Sequence, residues 1–196
     1  MSGLFVTFEG VDRAGKTTQA RMLADALGER AVAVREPGGT PAGERLRELL
    51  KDETVELGPR TEALLFAAAR AELVERVIKP ALERGQTVVS DRFLDSSLAY
   101  QGAARGLGMD EVASINRFAT DGLAPNVTFL LDLPLDAAAQ RGGEVDRFES
   151  EGRGLQEEVR AGYERLVAAD PERWHRIDAA RPADVVHAEI LAAVAA

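Results

Sequence analysis

The chain has 196 residues, which suits one domain, and its 45% hydrophobic and 29% charged residues are the balance of an ordinary globular protein. It has no cysteine and only two histidines, so disulfides, thiolate catalysis and cysteine-based zinc sites are excluded and a histidine metal site is disfavoured. The net charge of −9 argues against a broad nucleic-acid surface, which would require a basic domain.

The hydropathy of the chain bears on its location. No apolar run approaches the roughly 20 residues needed to cross a bilayer. The first residues lack the basic and apolar regions of a secretory signal. We therefore expect a cytoplasmic protein.

A phosphate-binding motif occupies the first strand-to-helix turn. Residues 4–9 are apolar and β-branched, and apolar residues recur at helical spacing over residues 20–27. Between them, residues 10–17 fit the pattern G-x-x-x-x-G-K-[ST] of a P-loop, in the context that this motif needs. A glycine-rich turn that binds nothing is the alternative, and the flanking strand and helix disfavour it.

The P-loop predicts a site for a nucleoside triphosphate. Its backbone N–H groups and the following helix N-terminus favour phosphate binding. Lys16 supplies a cation to the β- and γ-phosphates, and the Thr17 hydroxyl is a ligand for Mg²⁺. We expect ATP to contact Gly10, Val11, Asp12, Arg13, Ala14, Gly15, Lys16, Thr17 and Thr18.

The next elements lead to a defined loop and a long helix. A strand over residues 31–35 runs into residues 36–41, whose glycines and prolines predict a fixed loop. A short helix bearing leucines follows, and a longer helix runs from about Arg60 to Gly85. Within it Phe66 and Arg70 are four residues apart and share one face. That face differs from the apolar leucine stripe of the same helix, which includes Leu64, Leu65 and Leu73.

The third strand, residues 87–90, ends on Asp91 and Arg92. It is nearly all β-branched, as expected of a strand buried on both faces, and ligands bind outside the carboxyl ends of parallel strands. An Asp here, beside a P-loop, can hold Mg²⁺ directly or through water. The alternative is an Asp that caps the next helix; the metal role is favoured because the P-loop fixes where the magnesium lies.

Polar residues follow this strand. If residues 93–102 begin a helix, Ser97, Tyr100 and Gln101 lie on one face and suit a small ligand. A further helix is predicted over residues 110–121, with Asp110 as its N-cap and Gly122 as its stop. A fourth strand over residues 127–132 leads to a short helix.

Residues 140–154 break the apolar pattern. Glycine, arginine and acidic residues without periodicity are typical of an exposed, mobile segment. Arg141, Arg147 and Arg153 favour a lid over about residues 141–154 that closes over phosphates; a plain surface loop is the alternative. A helix over residues 155–168, a strand over residues 174–177 and a last helix from Pro182 complete the chain.

The order of elements predicts the fold class. Strands alternate with helices five times, which indicates an α/β fold with a parallel sheet covered on both faces. No second domain, repeat or low-complexity tract is apparent. We expect one domain over residues 1–196.

The P-loop alone leaves several functions open. The length argues against motors, and the base-reading N-K-x-D segment of switch GTPases does not occur. A second polar site after strand three and an arginine-bearing lid favour a kinase of a small acceptor, because phosphoryl transfer needs charge stabilisation and exclusion of water.

Four motifs, in order along the whole chain, resemble the thymidylate kinase family. They are Phe8-Glu9-Gly10-Val11-Asp12 with residues 14–19, Arg35-Glu36-Pro37-Gly38-Gly39-Thr40, Asp91-Arg92-Phe93 with Ser96 and Ala99-Tyr100-Gln101-Gly102, and Asp146-Arg147-Phe148-Glu149. The last three are much more specific than the P-loop. The resemblance implies a P-loop NTPase fold, Mg²⁺-dependent transfer of the γ-phosphoryl group of ATP to dTMP giving dTDP, and a homodimer.

The resemblance also implies roles on the acceptor side. Asp12 would lie near the acceptor phosphate and the magnesium, and Arg92 would grip that phosphate. Phe66 would stack on the thymine ring while Arg70 hydrogen-bonds its edge, and Tyr100 would pack where a 2′-hydroxyl would clash. The implied dTMP contacts are Asp12, Glu36, Pro37, Phe66, Arg70, Arg92, Ser96, Ser97, Tyr100 and Gln101.

On the donor side, the resemblance implies that Arg141 reaches the ATP from the lid and that Ala180 and Arg181 border the adenine. The implied catalytic residues are Arg13, Lys16, Asp91, Arg92 and Arg141, with Thr17 and Asp91 at the metal. No strong general base is needed, because the acceptor phosphate is already anionic.

The arginines depart from one common pattern of the family, in which the catalytic arginine lies in the lid. Here Arg13 occupies the P-loop position, as in the subtype typified by eukaryotic members, while the lid keeps its own arginines. We expect Arg13 to contribute most, because the loop backbone orients it before closure. Another nucleoside monophosphate kinase, a deoxynucleoside kinase and a catalytically silent nucleotide-binding module are the alternatives.

Overall fold

Five parallel strands form the sheet of the computed structural model, which describes residues 3–141 and 152–195. The strands are β1 Phe5–Glu9, β2 Ala31–Arg35, β3 Thr87–Asp91, β4 Val127–Asp132 and β5 Trp174–Asp178. Their order, β2-β3-β1-β4-β5, places the first strand in the middle of the sheet. All five predicted strands and the parallel α/β class are confirmed.

Helices cover both faces of the sheet. In the described ranges they are α1 Lys16–Leu27, α2 Pro41–Lys51, α3 Pro59–Leu73, α4 Lys79–Glu83, α5 Leu94–Ser97, α6 Met109–Thr120, α7 Leu135–Gln140, α8 Arg153–Ala169 and α9 Ala183–Ala195. Two π-helical segments, Val74–Ile78 and Leu98–Ala104, continue α3 and α5. The long helix expected from Arg60 is therefore α3, a π-helical segment and α4 in succession. None of these helices combines the length and apolar character that a membrane crossing needs.

The central strand of the sheet, β1, is buried on both faces. Its five residues are all buried. Phe5 packs against Leu73 and Val88 on one face of the sheet, while Phe8 packs with Leu23 in the cluster on the other face. With both faces covered, the carboxyl edge of the strands is where polar side chains from β1 and β3 meet.

The π-helical segment Leu98–Ala104 packs closely on α8. The N–H of Arg105 donates to the carbonyl of Tyr100 at 2.8 Å, five residues back, as in a π-helical turn. A Cβ at Gly162 of α8 would lie 3.0 Å from the Cα of Ala99, so glycine is needed for this approach. The contact fixes the turn that carries Tyr100 and Gln101.

The N-terminus of α6 differs from the prediction. Gly108, with φ 93°, precedes Met109, the first helical residue, and its N–H donates to the carbonyl of Gly102 at 3.0 Å. Asp110 as the N-cap is wrong, because this glycine turns the chain into the helix earlier. The stop at Gly122 is confirmed, since its N–H donates to the carbonyl of Arg117 at 3.0 Å beyond the helix end.

Most of the predicted lid lies outside the described residues. This applies to Arg147 and to the motif Asp146-Arg147-Phe148-Glu149. Arg141 and Arg153, at the two ends of the predicted lid, are described. Arg153 is the first residue of α8 and pairs with Glu157 at 2.9 Å.

Candidate active site

The loop between β1 and α1 has a backbone suited to an anion. Gly10 and Gly15 have φ values of 138° and 100°, in the region that favours glycine. A Cβ at Gly10 would lie 2.7 Å from the carbonyl oxygen of Leu131 in β4. Arg13 shares the left-handed conformation, with φ 63°, although it is not glycine. The loop therefore turns sharply into the N-terminus of α1, where backbone N–H groups attract negative charge.

Lys16, the first residue of α1, lies over this loop. Its Nζ donates to the carbonyl oxygens of Gly10 at 3.1 Å and Val11 at 2.7 Å. Burial, followed by repulsion from the Arg92 guanidinium, lowers the pKa of Lys16 from 10.5 to about 8. The ammonium group is thus placed where a phosphate in the loop would meet it.

Thr17 and Asp91 bring two oxygen groups together. The Thr17 hydroxyl donates to Oδ2 of Asp91 at 2.5 Å, which joins the first turn of α1 to the end of β3. Hydroxyl and carboxylate oxygens are ligands that Mg²⁺ prefers. In the described part of the chain no three His, Cys, Asp or Glu side chains converge as a metal cluster. An ion held by Thr17 and Asp91 would therefore take its other ligands from phosphates and water.

Arg92 has a left-handed backbone that its neighbours hold on both sides. Its φ is 71°. Its N–H donates to the carbonyl of Phe8 at 3.0 Å, and its own carbonyl accepts from the Ser90 hydroxyl at 2.6 Å. The conformation costs of order 1–3 kcal/mol, and such residues cluster at functional sites.

The Arg92 side chain is fixed at the edge of the P-loop. It forms an ion pair with Asp12, donates to the Ser96 hydroxyl at 3.1 Å and lies with its guanidinium carbon 5.2 Å from the Tyr100 ring centroid. Burial raises the pKa of Asp12, but Arg92 and Lys16 outweigh it and keep that pKa below its usual value. Gln156 of α8 donates to the other Asp12 oxygen at 2.8 Å.

Glu9, the last residue of β1, holds the residues that follow Arg92 by accepting hydrogen bonds from them. Its Oε1 accepts the Phe93 N–H at 2.8 Å, and its Oε2 accepts from the hydroxyls of Ser96 at 2.5 Å and Tyr163 at 2.8 Å. Burial, with repulsion from Asp95, raises the pKa of Glu9 from 4.5 to about 7. The motif quoted from the sequence contains Glu9, but nothing in the sequence predicted its partners.

One cleft of about 390 Å³ joins the P-loop to the polar face of the π-helical segment. It is lined by most of the predicted side chains, namely Asp12, Arg13, Lys16, Thr17, Glu36, Pro37, Phe66, Arg70, Asp91, Arg92, Ser96, Ser97, Tyr100 and Gln101. Predicted residues that do not line it are Gly10, Val11, Ala14, Gly15, Thr18, Arg141, Ala180 and Arg181. The cleft therefore holds the complete set expected for the acceptor and part of the set expected for the donor.

Arg70 lies buried at the inner end of this cleft. Its Nε donates to Glu36 at 2.8 Å, its Nη1 to Ser97 at 3.1 Å and to Asn116, and its Nη2 to the carbonyl of Phe93 at 3.2 Å. The other carboxylate oxygen of Glu36, Oε1, is buried without a hydrogen-bond partner in the described part of the chain. Sequence analysis missed Asn116, which lies 46 positions from Arg70 and in a helix read only for its ends.

Arg141 connects the P-loop to the turn after β5. Its Nη1 donates to the carbonyls of Arg13 at 3.3 Å and Ala14 at 3.2 Å, and its Nη2 donates to the carbonyl of Ala179 at 2.6 Å. The turn itself is held by the Ala180 N–H, which donates to Asp178 at 3.0 Å. The two regions expected at the donor nucleotide, the P-loop and residues 179–181, are therefore adjacent.

Three basic residues outside the predicted contact sets also line the cleft. They are Arg35 at the end of β2 and Arg47 and Lys51 of α2. Arg47 and Lys51 are four residues apart on one helical face, a signal that was available in the sequence. Arg35 is paired with Glu44 at 2.8 Å, and Arg47 donates to the carbonyl of Pro37 at 2.9 Å. Together with Lys16 and Arg92 they make a cationic entrance in a chain of net charge −9.

Comparisons with protein families, with individual sequences and with solved structures all match nearly the whole chain to the same family. The family model described as thymidylate kinase matches residues 8–190. The thymidylate kinase of Deinococcus radiodurans is 50% identical over 98% of this chain and 96% of its own length, and that of Desulforudis audaxviator is 49% identical over 100% and 92%. The crystal structure of thymidylate kinase from Ehrlichia chaffeensis superposes with a TM-score of 0.82 at 33% identity, covering 99% of each chain.

Proposed function

The chain belongs to the thymidylate kinase family, and on that premise we propose how its side chains divide the reaction between them. The enzyme transfers the γ-phosphoryl group of ATP to dTMP, giving dTDP and ADP. The position of Arg92 is the main support for assigning the donor to the P-loop and the acceptor to the cleft. It lies between the P-loop and the cleft, paired with Asp12 and stacked over Tyr100.

The P-loop holds the donor. The backbone N–H groups of residues 10–15 and the N-terminus of α1 bind the phosphates of ATP, and Lys16 contacts the β- and γ-phosphates. Arg141 reaches the ATP from the lid, and Ala180 and Arg181 border the adenine. The hydrogen bonds of Arg141 to both regions support this arrangement.

The inner cleft holds the acceptor. Arg92 and Asp12 meet the monophosphate and the adjoining sugar, Phe66 stacks on the base, and Arg70, Ser97 and Gln101 face its polar edge. The Oε1 of Glu36, which has no hydrogen-bond partner among the described residues, accepts a hydrogen bond from a donor group on the nucleotide, which would satisfy a buried acceptor. Pro37 and Tyr100 wall the pocket, and a 2′-hydroxyl would clash at Tyr100.

Transfer depends on alignment and positive charge. The acceptor phosphate is anionic, so no side chain has to act as a strong base. Arg13, which lies within the P-loop, and Arg141, which donates to two carbonyls of that loop, stabilise charge on the transferred group; Arg13 is the larger contributor because its backbone fixes its direction. A cleft that excludes water protects ATP from hydrolysis.

Magnesium fits the oxygen groups at the end of β3. Thr17 and Asp91 would hold the ion, which supplies charge neutralisation at the phosphates. The hydrogen bond between the two side chains supports this assignment, because it brings both oxygens to one place.

The enzyme acts as a homodimer. Phe118 of α6 is 91% exposed and Leu64 of α3 is 55% exposed, and these two helices pack together. Large exposed apolar side chains on neighbouring helices are typical of a protein contact surface. A cytoplasmic location stays our prediction from the sequence.

An acceptor screen tests this function. ADP release coupled to NADH oxidation is measured with dTMP, dUMP, dGMP, AMP and thymidine as acceptors. We expect the highest kcat/KM with dTMP; faster turnover of thymidine would indicate a deoxynucleoside kinase, and no turnover with any acceptor would indicate a silent binding module.

The same assay tests the role of Arg92. Arg92→Lys keeps the charge but loses the planar fork, so kcat/KM for dTMP should fall by at least about tenfold. Arg117→Lys, at an exposed position on α6, is the matched control and should leave it unchanged. Equal kinetics for the two variants would contradict the proposed grip on the acceptor phosphate.

A further inference from the structure

A buried carboxylate holds the amide of Gln101. Gln101 lies in the π-helical segment, is 2% exposed and lines the cleft. Its Nε2 donates to Oε1 of Glu62 in α3 at 2.9 Å. Glu62 is 1% exposed and also accepts from Nε and Nη2 of Arg105, at 3.3 Å and 3.2 Å.

This contact decides which way round the amide sits. A carboxylate accepts hydrogen bonds and donates none, so the amide nitrogen must face Glu62. The amide oxygen is then the group left to accept from a ligand in the cleft. The opposite orientation would set two oxygens against each other in a buried place, at the cost of an unsatisfied acceptor.

We propose that Glu62 is a positioning residue that sets base specificity by fixing the orientation of the Gln101 amide. The inference rests on the proposed function, in which Gln101 faces the polar edge of the pyrimidine. It extends that function by naming the group that makes Gln101 an acceptor.

The orientation of the Gln101 amide matters because pyrimidine bases differ at ring position 3. Thymine and uracil carry an N–H donor at ring position 3, which suits the amide oxygen. Cytosine carries a bare nitrogen there, which the amide oxygen repels and which the amide nitrogen of a reversed Gln101 would satisfy. A locked Gln101 therefore admits thymine and uracil nucleotides and rejects cytosine nucleotides.

The neighbouring groups act separately from the Glu62–Gln101 contact. The Ser97 hydroxyl can both donate and accept, so it adapts to either kind of base. Arg70 only donates, so it suits the 4-carbonyl of thymine and uracil and disfavours the 4-amino group of cytosine; its bonds to Glu36 and Asn116 do not involve Glu62. Glu62 also holds Arg105, but of these two partners only Gln101 lines the cleft, so a change at Glu62 should act on base selection mainly through Gln101.

The test uses two acceptors that both lack the 5-methyl group. The ratio of kcat/KM for dUMP to that for dCMP reports the amide orientation, while the ratio for dTMP to dUMP reports the methyl pocket. Wild type should prefer dUMP over dCMP by at least about tenfold. Glu62→Gln, whose amide can donate to Gln101, should lower that ratio by about tenfold or more and leave the dTMP to dUMP ratio within twofold of wild type.

A conservative variant separates orientation from packing. Glu62→Asp keeps an acceptor-only group, so its dUMP to dCMP ratio should stay near the wild-type value even if its KM rises. Equal loss of the ratio in Glu62→Asp and Glu62→Gln would overturn the inference, as would an unchanged ratio in a folded Glu62→Gln. If Glu62→Gln does not fold, the wild-type ratio and Glu62→Asp decide.

The outcome is distinct from that of the proposed function. A wild-type enzyme that turns over no dTMP contradicts the function itself. A wild-type enzyme that turns over dTMP but uses dCMP as well as dUMP contradicts only the role of Glu62.

Discussion

The Thr17 hydroxyl lies 2.5 Å from a carboxylate oxygen of Asp91, so the first turn of α1 and the end of β3 present their oxygens at one point. Replacing Thr17 by valine removes one of these oxygens and keeps the shape. We expect Thr17→Val to lower kcat and to raise the Mg²⁺ concentration that gives half-maximal rate, whereas Thr17→Ser should resemble wild type. Initial rates across a Mg²⁺ titration check this. If Thr17→Val has the same half-maximal Mg²⁺ concentration as wild type, Thr17 is not a ligand of the metal.

Arg13 should be the main source of charge stabilisation at the transferred group. Arg13→Gly should lower kcat by roughly 10²-fold or more, the scale of one lost preorganised donor. Because Arg13 has φ 63°, glycine fits its backbone and thermal stability should not fall. Arg165→Ala, which changes an exposed arginine of α8 outside the predicted lid, is the control. A kcat within threefold of wild type in Arg13→Gly would move the role to the lid.

ATP binding should weaken in alkaline solution because of Lys16. Its pKa in the free protein is about 8, lowered by burial and by Arg92, and bound phosphates favour the charged form. Binding of ATP above pH 8 should therefore take up a proton, and the affinity should fall as pH rises from 8. Calorimetry at pH 8.5 in buffers of different ionisation enthalpy measures the uptake. Lys16→Arg, which stays charged, should show none.

Glu9 should make the folded state less stable as the pH rises. Its pKa is about 7 in the folded protein, against an ordinary value of 4.5 for the unfolded chain, so between these two pH values the folded state holds a proton that the unfolded state has released. Stability present below pH 4.5 is thus lost as the pH rises to 7, by up to about 3 kcal/mol.

Glu9→Gln should remove this dependence. Urea unfolding at pH 5 and pH 8 measures it, and the difference between the two pH values should be smaller in Glu9→Gln than in wild type. Glu164→Gln, at a half-exposed surface ion pair, serves as the control. Identical pH dependence in Glu9→Gln and wild type would show that Glu9 titrates normally.

The exposed side chain of Phe118 should stabilise the dimer. Phe118→Glu places a charge in the proposed contact and should shift sedimentation toward the monomer at micromolar concentration. Val185→Glu changes another exposed apolar side chain, on α9, and should leave the assembly intact. A dimer of unchanged dissociation constant in Phe118→Glu would place the contact elsewhere.

The sequence predicted the parts of the site that depend on local pattern. The strand before Gly10, the helix after Lys16 and the placement of Asp91 and Arg92 at a strand end all follow from apolar periodicity and motif spacing, and each is present. The cleft shared by Ser97, Tyr100 and Gln101 also followed from helical spacing, although the turn that carries them is π-helical.

Contacts between distant parts of the chain could not be predicted in the same way. Gln156 reaches Asp12 across 144 positions, and Glu62 reaches Gln101 across 39. No periodicity or motif connects these pairs, because the packing of whole helices brings them together. The same holds for Leu64, whose place in a leucine stripe did not reveal that it faces outward.

The missing side chain of Gly162 allows α8 to pack directly against the π-helical segment Leu98–Ala104. A single added methyl group there would meet Ala99 and Ala103 at 3.0–3.3 Å and push apart two helices that carry Tyr163 on one side and Tyr100 on the other. Gly162→Ala would thus weaken binding of the acceptor nucleotide from a position outside the cleft.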